Sequence, residues 1–180
     1  MIIINLDDVF EPIAVSEDLS QYLFESELTD DTVILLKVKI TFNDEPLLPN
    51  VYNLAFGPLV GDDGVNDAVK LKHKNTYKVF SSIILYAITY MEQYPDRIIG
   101  IDGSNDVRAY LYHRMFATNH EYLKDILVTI GLDWYVRLLR NGTIEIDKDG
   151  SPFFKPKPEP FDLQRKTTDL YRYYTIQLNR

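Results

Sequence analysis

The sequence predicts an α+β fold, with a mainly antiparallel sheet from a β-rich N-terminal half, two helices packed on one face and a C-terminal hairpin. Three observations predict this class. The first seventy residues are rich in β-branched and aromatic residues, which turn signals divide into short runs. Two segments with helical periodicity follow, at residues 76–94 and 105–127. The dipeptide Asn141-Gly142 then predicts a hairpin. Strands followed by segregated helices are typical of α+β proteins.

Five short strands are predicted in the N-terminal half. Thr32–Phe42 is a β-branched run that ends at the turn signal Asn43-Asp44, and Gly57-Pro58 is expected to end the strand Asn50–Phe56. The other predicted strands are Met1–Asn5, Tyr22–Glu27 and Asp67–Lys72. Short connections between consecutive strands favour an antiparallel meander.

The segment Thr76–Tyr94 is predicted to be the most buried element of the fold. Asn75 is a suitable N-cap, and Pro95 stops the helix. Apolar side chains cover almost its whole circumference, which is typical of a helix inside a core. The face expected to pack against the sheet carries Phe80, Ile84, Ala87 and Ile88.

The C-terminal half is predicted to alternate between strands and one more helix. Gly103-Ser104 forms a turn, and either Ser104 or Asn105 caps a second helix that is expected to break near Thr118-Asn119. The predicted strands and extended segments are Arg97–Asp102, Val128–Leu139, the hairpin return Thr143–Ile146, a proline-rich extended arm at Ser151–Pro160, and Tyr173–Leu178.

Charge and composition limit the classes of function. The net charge is −8, and the first 36 residues hold nine acidic side chains but no Lys or Arg. The absence of a basic stripe argues against nucleic-acid binding. The chain lacks cysteine, which fits a reducing compartment. Its most apolar stretch, Val79–Tyr94, is short and interrupted by polar residues, and no leader pattern is visible. We therefore expect a soluble cytoplasmic protein that does not bind membranes.

Three stretches of the chain form a distinctive combination of motifs. They are Asn50–Gly57, which reads NVYNLAFG, then Asp67–Val69 ahead of the long helix, and Gly103–Tyr112 in the pattern G-S-x-x-x-R-x-x-L-Y. Together they resemble an uncharacterised bacterial family of domains of unknown function. The resemblance spans Leu47–Lys166, so we divide one domain of residues 1–180 into an acidic start (1–46), a family-like core (47–166) and an aromatic tail (167–180). It implies no activity.

The turn around Gly103 is the place where the sequence predicts a ligand site. A glycine after a strand allows a sharp turn, after which the first N–H groups of the next helix are free. The Ser104 hydroxyl, the Arg108 guanidinium and the nearby Tyr112 would add donors that suit a phosphate or carboxylate. In the alternative interpretation, Ser104 is only an N-cap and Arg108 pairs with an acid such as Asp102.

Other chemistry is weakly indicated. His113 and His120 are seven residues apart, and no histidine spacing matches a metal site. No nucleotide-binding glycine pattern and no G-x-S-x-G motif occur. Asp102 and Asp106 flank the Gly103 turn and are the only conceivable catalytic carboxylates. We therefore expect neither a metal nor another cofactor.

Three functions remain open at this point. The first is a non-catalytic module that binds an anionic small molecule or a protein partner through the Gly103–Arg108 turn. The second is a small acyltransferase-like enzyme, although its expected glycine loop is replaced by His73-Lys74-Asn75-Thr76. The third is an interaction protein of a paired bacterial system, in which the acidic start and the aromatic tail contact a partner. The sequence leaves the oligomeric state undecided.

Overall fold

The computed structural model describes residues 2–103 and 105–180. Its strands are β1 (Ala14–Val15), β2 (Gln21–Glu27), β3 (Val33–Phe42), β4 (Val51–Val60), β5 (Gly64–Val65), β6 (Ile98–Asp102), β7 (Leu127–Val136), β8 (Phe154–Pro160) and β9 (Tyr173–Leu178). Its helices are α1 (Thr76–Gln93), α2 (Asp106–Thr118) and α3 (His120–Leu123). The chain therefore has the α+β class that the sequence predicts.

The strands form one mainly antiparallel sheet. Their order is β1-β2-β3-β4-β6-β9-β7-β8, with β5 paired to the end of β4. The first four strands form the expected meander. Within the described residues β4 and β6 are the only parallel pair. The last strand in the chain, β9, lies between β6 and β7. The aromatic tail is therefore an inner strand that joins the two halves of the sheet.

Both longer helices pack on the same face of the sheet. The main core contains Ile84 and Ala87 of α1, Phe116 of α2, and the β9 residues Tyr174 and Ile176. A smaller apolar cluster occupies the opposite face, with Leu48, Val51, Leu132 and Tyr173. Successive residues of β9 thus contribute to different cores, as the alternation of side chains along a strand requires.

The long helix begins and packs as predicted. The Asn75 side chain accepts a hydrogen bond from the backbone N–H of Lys78 at 3.0 Å. Eleven of its 18 residues are buried, including Ser81 and Ser82, so the helix is enclosed on most sides. The ring of Tyr86 stacks on Tyr22 of β2 with a centroid distance of 4.2 Å. This contact ties α1 to the outer part of the meander.

Two predicted N-terminal strands are wrong. Residues 2–5 form no ladder: the N–H of Ile4 donates to the side chain of Asn119 at 2.7 Å, and the same side chain donates to Ile2 O at 2.9 Å. Residues 67–72 are irregular: Asn66 donates its N–H to Pro58 O of β4 at 3.1 Å, but the chain then turns away from β4, and Asp67 contacts Arg108 of α2 instead of a strand. Met1 lies outside the described residues.

The prediction that Gly57-Pro58 ends a strand is also wrong. β4 continues to Val60, and Pro58 still pairs in register with Leu36 of β3. Pairing of β4 with β6 covers only residues 51–53. Pro58 therefore lies where β4 has a long neighbour on one side only, and a missing N–H is tolerated there.

The predicted C-terminal hairpin turns at the expected place, but the segment after the turn is not the strand that pairs with β7. The turn forms at Asn141-Gly142, with Gly142 at φ +82°, but residues 143–146 make only isolated bridges. On its outer side β7 pairs with β8, which was predicted as an extended arm. Its prolines occupy alternate positions 156, 158 and 160 at the edge of the sheet. Alternate prolines place their missing N–H groups on one side, so the other side can pair while the outer edge is blocked.

Candidate functional site

A cavity of about 390 Å³ lies where the first turns of α1 and α2 approach strand β4. The irregular segment 67–71 forms one of its walls. Most of the lining is apolar, with side chains that include Leu54 and Phe56 of β4, Val79 and Phe80 of α1, and Leu111 of α2. A concave, largely apolar cavity with a few polar groups is the usual form of a small-molecule site.

The turn at Gly103 brings α2 close to the sheet. The Gly103 N–H donates to Arg172 O at 3.0 Å, and a Cβ at this position would lie 3.1 Å from the Tyr174 ring. Asn105 is the N-cap, because its side chain accepts from the N–H of Arg108 at 2.9 Å. Arg108 and Tyr112 are one helical turn apart and both line the cavity.

Arg108 is held at the cavity wall by two carboxylates. Its Nη1 lies 3.4 Å from Asp67 Oδ2 and 3.8 Å from Asp102 Oδ2, and its Nη2 donates to the backbone carbonyl of Asp67. The Arg108 side chain is 21% exposed, whereas the two carboxylate side chains are about half exposed. The pairing with Asp102 that the sequence suggested as an alternative is present. The shorter contact is with Asp67, which the sequence did not suggest.

Tyr112 offers a hydroxyl in the same cavity. The residue is only 8% exposed, and burial raises its pKa to about 12. It therefore stays neutral and keeps its proton at pH 7. No hydrogen-bond partner for this hydroxyl is found within residues 2–103 and 105–180. Although the residue is largely buried, its hydroxyl oxygen is not among the fully buried atoms without a partner, so it is open to a ligand oxygen.

The four residues predicted from the sequence have different positions. Arg108 and Tyr112 are brought together at the cavity, while Gly103 is absent from its wall. The N–H of Gly103 is used in the contact with Arg172 and that of Arg108 in the Asn105 cap. Ser104 lies outside the described residues. Side chains, more than free backbone donors, therefore provide the polar groups of this cavity.

Sequence reasoning missed His73 as a cavity residue. Its Nδ1 is 2.8 Å from the Ser26 hydroxyl of β2, and its side chain lines the cavity beside the start of α1. Burial lowers the pKa of His73, so the ring is neutral at pH 7. One available signal was its position four residues after Val69, since the motif Asp67–Val69 also lines the cavity.

The other candidate acids and histidines do not form a second centre. Asp106 pairs with Arg172 at 2.6 Å on the surface, whereas Asp102 lines the cavity. His113 is 4% exposed, and its Nδ1 has no partner in the described part of the chain. Burial lowers the pKa of His113, and its ring packs 5.1 Å from that of Phe161. No group of three or more His, Asp or Glu side chains among the described residues could hold a metal ion.

No helix in residues 2–103 or 105–180 is both long enough and apolar enough to cross a bilayer.

Comparison with known proteins gives one match. No curated protein and no solved structure matches the chain. The sequence model of a family of unknown function, DUF6934, matches residues 9–142, more than half of the chain. The matched range contains all three motif stretches. It starts earlier than the resemblance indicated and so includes most of the acidic start, and it stops before β8 and β9. The chain belongs to the family of unknown function DUF6934.

Proposed function

We propose that this protein is a non-catalytic module that binds an anionic small molecule in the cavity between β4, α1 and α2. Arg108 and Tyr112 contact the anionic group. In this proposal Gly103 shapes the turn, and Ser104 adds the hydroxyl predicted from the sequence. A cytoplasmic location is part of the proposal and is supported by the absence of cysteine.

The observation that carries the proposal is the convergence of the three motif stretches on one cavity. Leu54–Gly57 comes from the first, Asp67–Val69 is the second, and Arg108, Leu111 and Tyr112 come from the third. These stretches are distant in the sequence and lie in a strand, an irregular segment and a helix. A cavity built from the most distinctive parts of the sequence supports a binding role.

The charges at the wall are compatible with an anion. Arg108 and Lys70 balance Asp67 and Asp102, so the wall has no net charge. The Arg108 contacts with Asp67 and Asp102 carboxylates, at 3.4 and 3.8 Å, are longer than those of a bidentate pair. A guanidinium has five N–H donors, and the hydrogen bonds of Arg108 to Asp67 use one on Nη1 and one on Nη2, so that within the described residues others are left for a ligand carboxylate.

The test is a thermal-shift and calorimetric titration with octanoate, with octan-1-ol as the uncharged control and sulfate as a bare anion. Octanoate should raise the melting temperature, because it binds the folded state. Arg108→Met should abolish this shift, and Arg108→Lys should retain part of it. Arg172→Met, which removes an exposed arginine outside the cavity, is the matched control and should leave the shift unchanged.

Two results would contradict the proposal. One is an octanoate response of the same size in Arg108→Met as in the unmodified protein. The other is the absence of any response to octanoate and sulfate at millimolar concentrations. An equal response to octan-1-ol and octanoate would show that the charge of the ligand does not contribute to binding and that the cavity binds apolar molecules in general.

A protein partner remains the second candidate. The turn at residues 138–146 exposes apolar side chains, among them Leu138 at 69% and Ile146 at 59%. Exposed apolar side chains that cluster in this way are typical of interaction surfaces. The aromatic tail does not provide such a surface, because Tyr173, Tyr174 and Ile176 are buried in the sheet. Pull-down of a partner that is lost in a Leu138→Ser, Ile146→Ser double variant would favour this candidate.

A further inference from the structure

Resting on the proposed function, we infer the chemical class of the ligand: a small carboxylic acid with an apolar body and an uncharged acceptor oxygen at its far end. Arg108 and Tyr112 receive the carboxylate, and Nε2–H of His73 donates to the far oxygen. An oxo group is the simplest oxygen of this kind. His73 is then the residue that determines specificity within the cavity.

The volume of the cavity indicates the size of the ligand, and its apolar lining indicates that the body of the ligand is a hydrocarbon. A volume of about 390 Å³ equals that of about 13 water molecules in the liquid, at roughly 30 Å³ each. It therefore suits a molecule of about a dozen heavy atoms. Leu54, Phe56, Val79, Phe80 and Leu111 offer no polar atom to such a molecule. A sugar body would lose its water contacts there without replacement, so a hydrocarbon body is favoured.

His73 is fixed in place by a buried serine. Ser26 is 2% exposed, and its hydroxyl lies 2.8 Å from His73 Nδ1. This contact occupies one ring nitrogen and sets the orientation of the ring. Nε2 has no hydrogen-bond partner in the part of the chain that the structure describes, and it is not among the fully buried atoms without a partner. It is the ring nitrogen left for an occupant of the cavity.

The Ser26 hydroxyl also determines which nitrogen carries the proton. Over the described residues, Ser26 has no other side-chain hydrogen bond. If His73 Nδ1 were protonated, the buried hydroxyl proton would have no acceptor, which is unfavourable. Ser26 therefore donates to Nδ1, and the neutral ring carries its proton on Nε2. A donor at this position selects a ligand with an acceptor.

The two residues that would bind the ends of the ligand, Arg108 and His73, belong to different elements. Arg108, in the first turn of α2, contacts Asp67 at the beginning of the irregular wall segment. His73 follows that segment and precedes α1. Apolar side chains of β4 and of both helices line the cavity that the two share. A ligand that contacts both residues therefore carries one polar group for each, joined by an apolar body.

The experiment compares octanoate with 7-oxooctanoate, which adds one carbonyl oxygen to the same chain. Calorimetry on the full chain should show about three- to tenfold tighter binding of the oxo acid, as expected for one neutral hydrogen bond. The preference should disappear in His73→Phe and persist in His73→Gln, whose amide keeps a donor near the position of Nε2. Ser26→Ala should reduce the preference, because the His73 ring loses the contact that orients it.

A second measurement keeps the inference testable if His73→Phe does not fold. The nitrogen chemical shifts of His73 in the unmodified protein distinguish the two neutral tautomers. The Nε2–H tautomer and a change in the Nε2 resonance on addition of 7-oxooctanoate would support the inference. The Nδ1–H tautomer would overturn it.

The outcomes separate this inference from the proposed function. Equal affinity for the two acids, with binding of both lost in Arg108→Met, overturns the role of His73 and leaves the anion site intact. Failure of both acids to bind overturns the proposed function and the inference with it. A preference for the oxo acid that persists in a folded His73→Phe variant overturns the role of His73 alone.

Discussion

The two longer helices pack on the same face of the sheet, but they have different surroundings. α1 has 11 of 18 residues buried, and its aromatic side chains pack against aromatic residues of β2 and β4. α2 has five of 13 residues buried and leaves Val107 59% exposed. The cavity lies at the first turns of both helices, yet its arginine and its tyrosine both belong to α2.

This difference indicates that α1 contributes mainly to stability and that the start of α2 contributes mainly to binding. A helix that is apolar almost all round contributes mainly through burial of its side chains. A helix with one buried face can present charged groups to a cavity while its other face meets water. We therefore expect substitutions in α1 to affect folding, and substitutions at the start of α2 to affect binding. The predictions below test this contrast.

The largest effect is expected from Ile84→Asp. Ile84 is 1% exposed, and an unpaired carboxylate in its place should lower the free energy of unfolding by more than about 4 kcal/mol. The measurement is thermal unfolding followed by circular dichroism. Val107→Asp on the exposed side of α2 is the control and should melt like the unmodified protein. A soluble Ile84→Asp variant that melts cooperatively would show that α1 is peripheral.

Alkaline pH should lower the free energy of unfolding, because each of the two helices contains a buried tyrosine. Burial raises the pKa of Tyr86 in α1 and of Tyr112 in α2 to about 12. In the unfolded chain both titrate near 10, so between about pH 10 and 12 only the unfolded state loses these protons. The free energy of unfolding should therefore fall with rising pH over this range.

Denaturant titrations across that pH range measure the effect. Tyr86→Phe and Tyr112→Phe should each make the alkaline decline shallower, whatever they do to stability at pH 7. An unchanged slope in both variants would mean that neither hydroxyl is desolvated in solution. Tyr135→Phe, at a residue that is 43% exposed, is the control.

A smaller effect is expected from Tyr174→Phe. The hydroxyl of this fully buried residue donates to Ala109 O at 2.9 Å and joins α2 to β9. Because Ala109 lies inside α2, its carbonyl keeps an intrahelical partner, and the loss should be about 0.5–1.5 kcal/mol. Chemical denaturation measures it. A loss below the error of that measurement would show that packing alone holds α2 on the sheet.

The smallest effect on stability is expected from Arg108→Met. The two carboxylates near Arg108 are half exposed, so the ion pairs should contribute no more than about 1 kcal/mol. The free energy of unfolding at low and high salt measures this contribution. A loss of roughly 3 kcal/mol or more would instead identify Arg108 as a structural residue of a buried ion pair.

Local pattern was sufficient for the elements with a strong period or a clear cap. The periodicity and the Asn75 cap predicted α1, and the β-branched run before Asn43-Asp44 predicted β3. The strand Tyr173–Leu178 was also predicted correctly, but not its place in the sheet. The prediction of strands at residues 2–5 and 67–72 failed because apolar content does not show whether a segment meets a partner strand in the folded protein.

The candidate site was only partly predictable. Arg108 was identified from a turn and from helical spacing, and Tyr112 from the short motif that follows the turn, which are local properties. His73 and Asp67 were not, because their positions at the cavity depend on contacts with Ser26 and with α2. Those contacts join residues 41 or more positions apart, and no local pattern encodes them.

By itself, the sequence determined the α+β class and the buried character of α1, and it limited the cap that starts α2 to Ser104 or Asn105. Each follows from interactions between near neighbours in the chain, where propensity and periodicity act. Only the tertiary structure decided that the tail is an inner strand, that β8 and not residues 143–146 pairs with β7, and that three separate motifs enclose one cavity. The physical reason is that strand pairing and cavity walls are formed between distant segments, which compete for the same edges and for the same apolar surface.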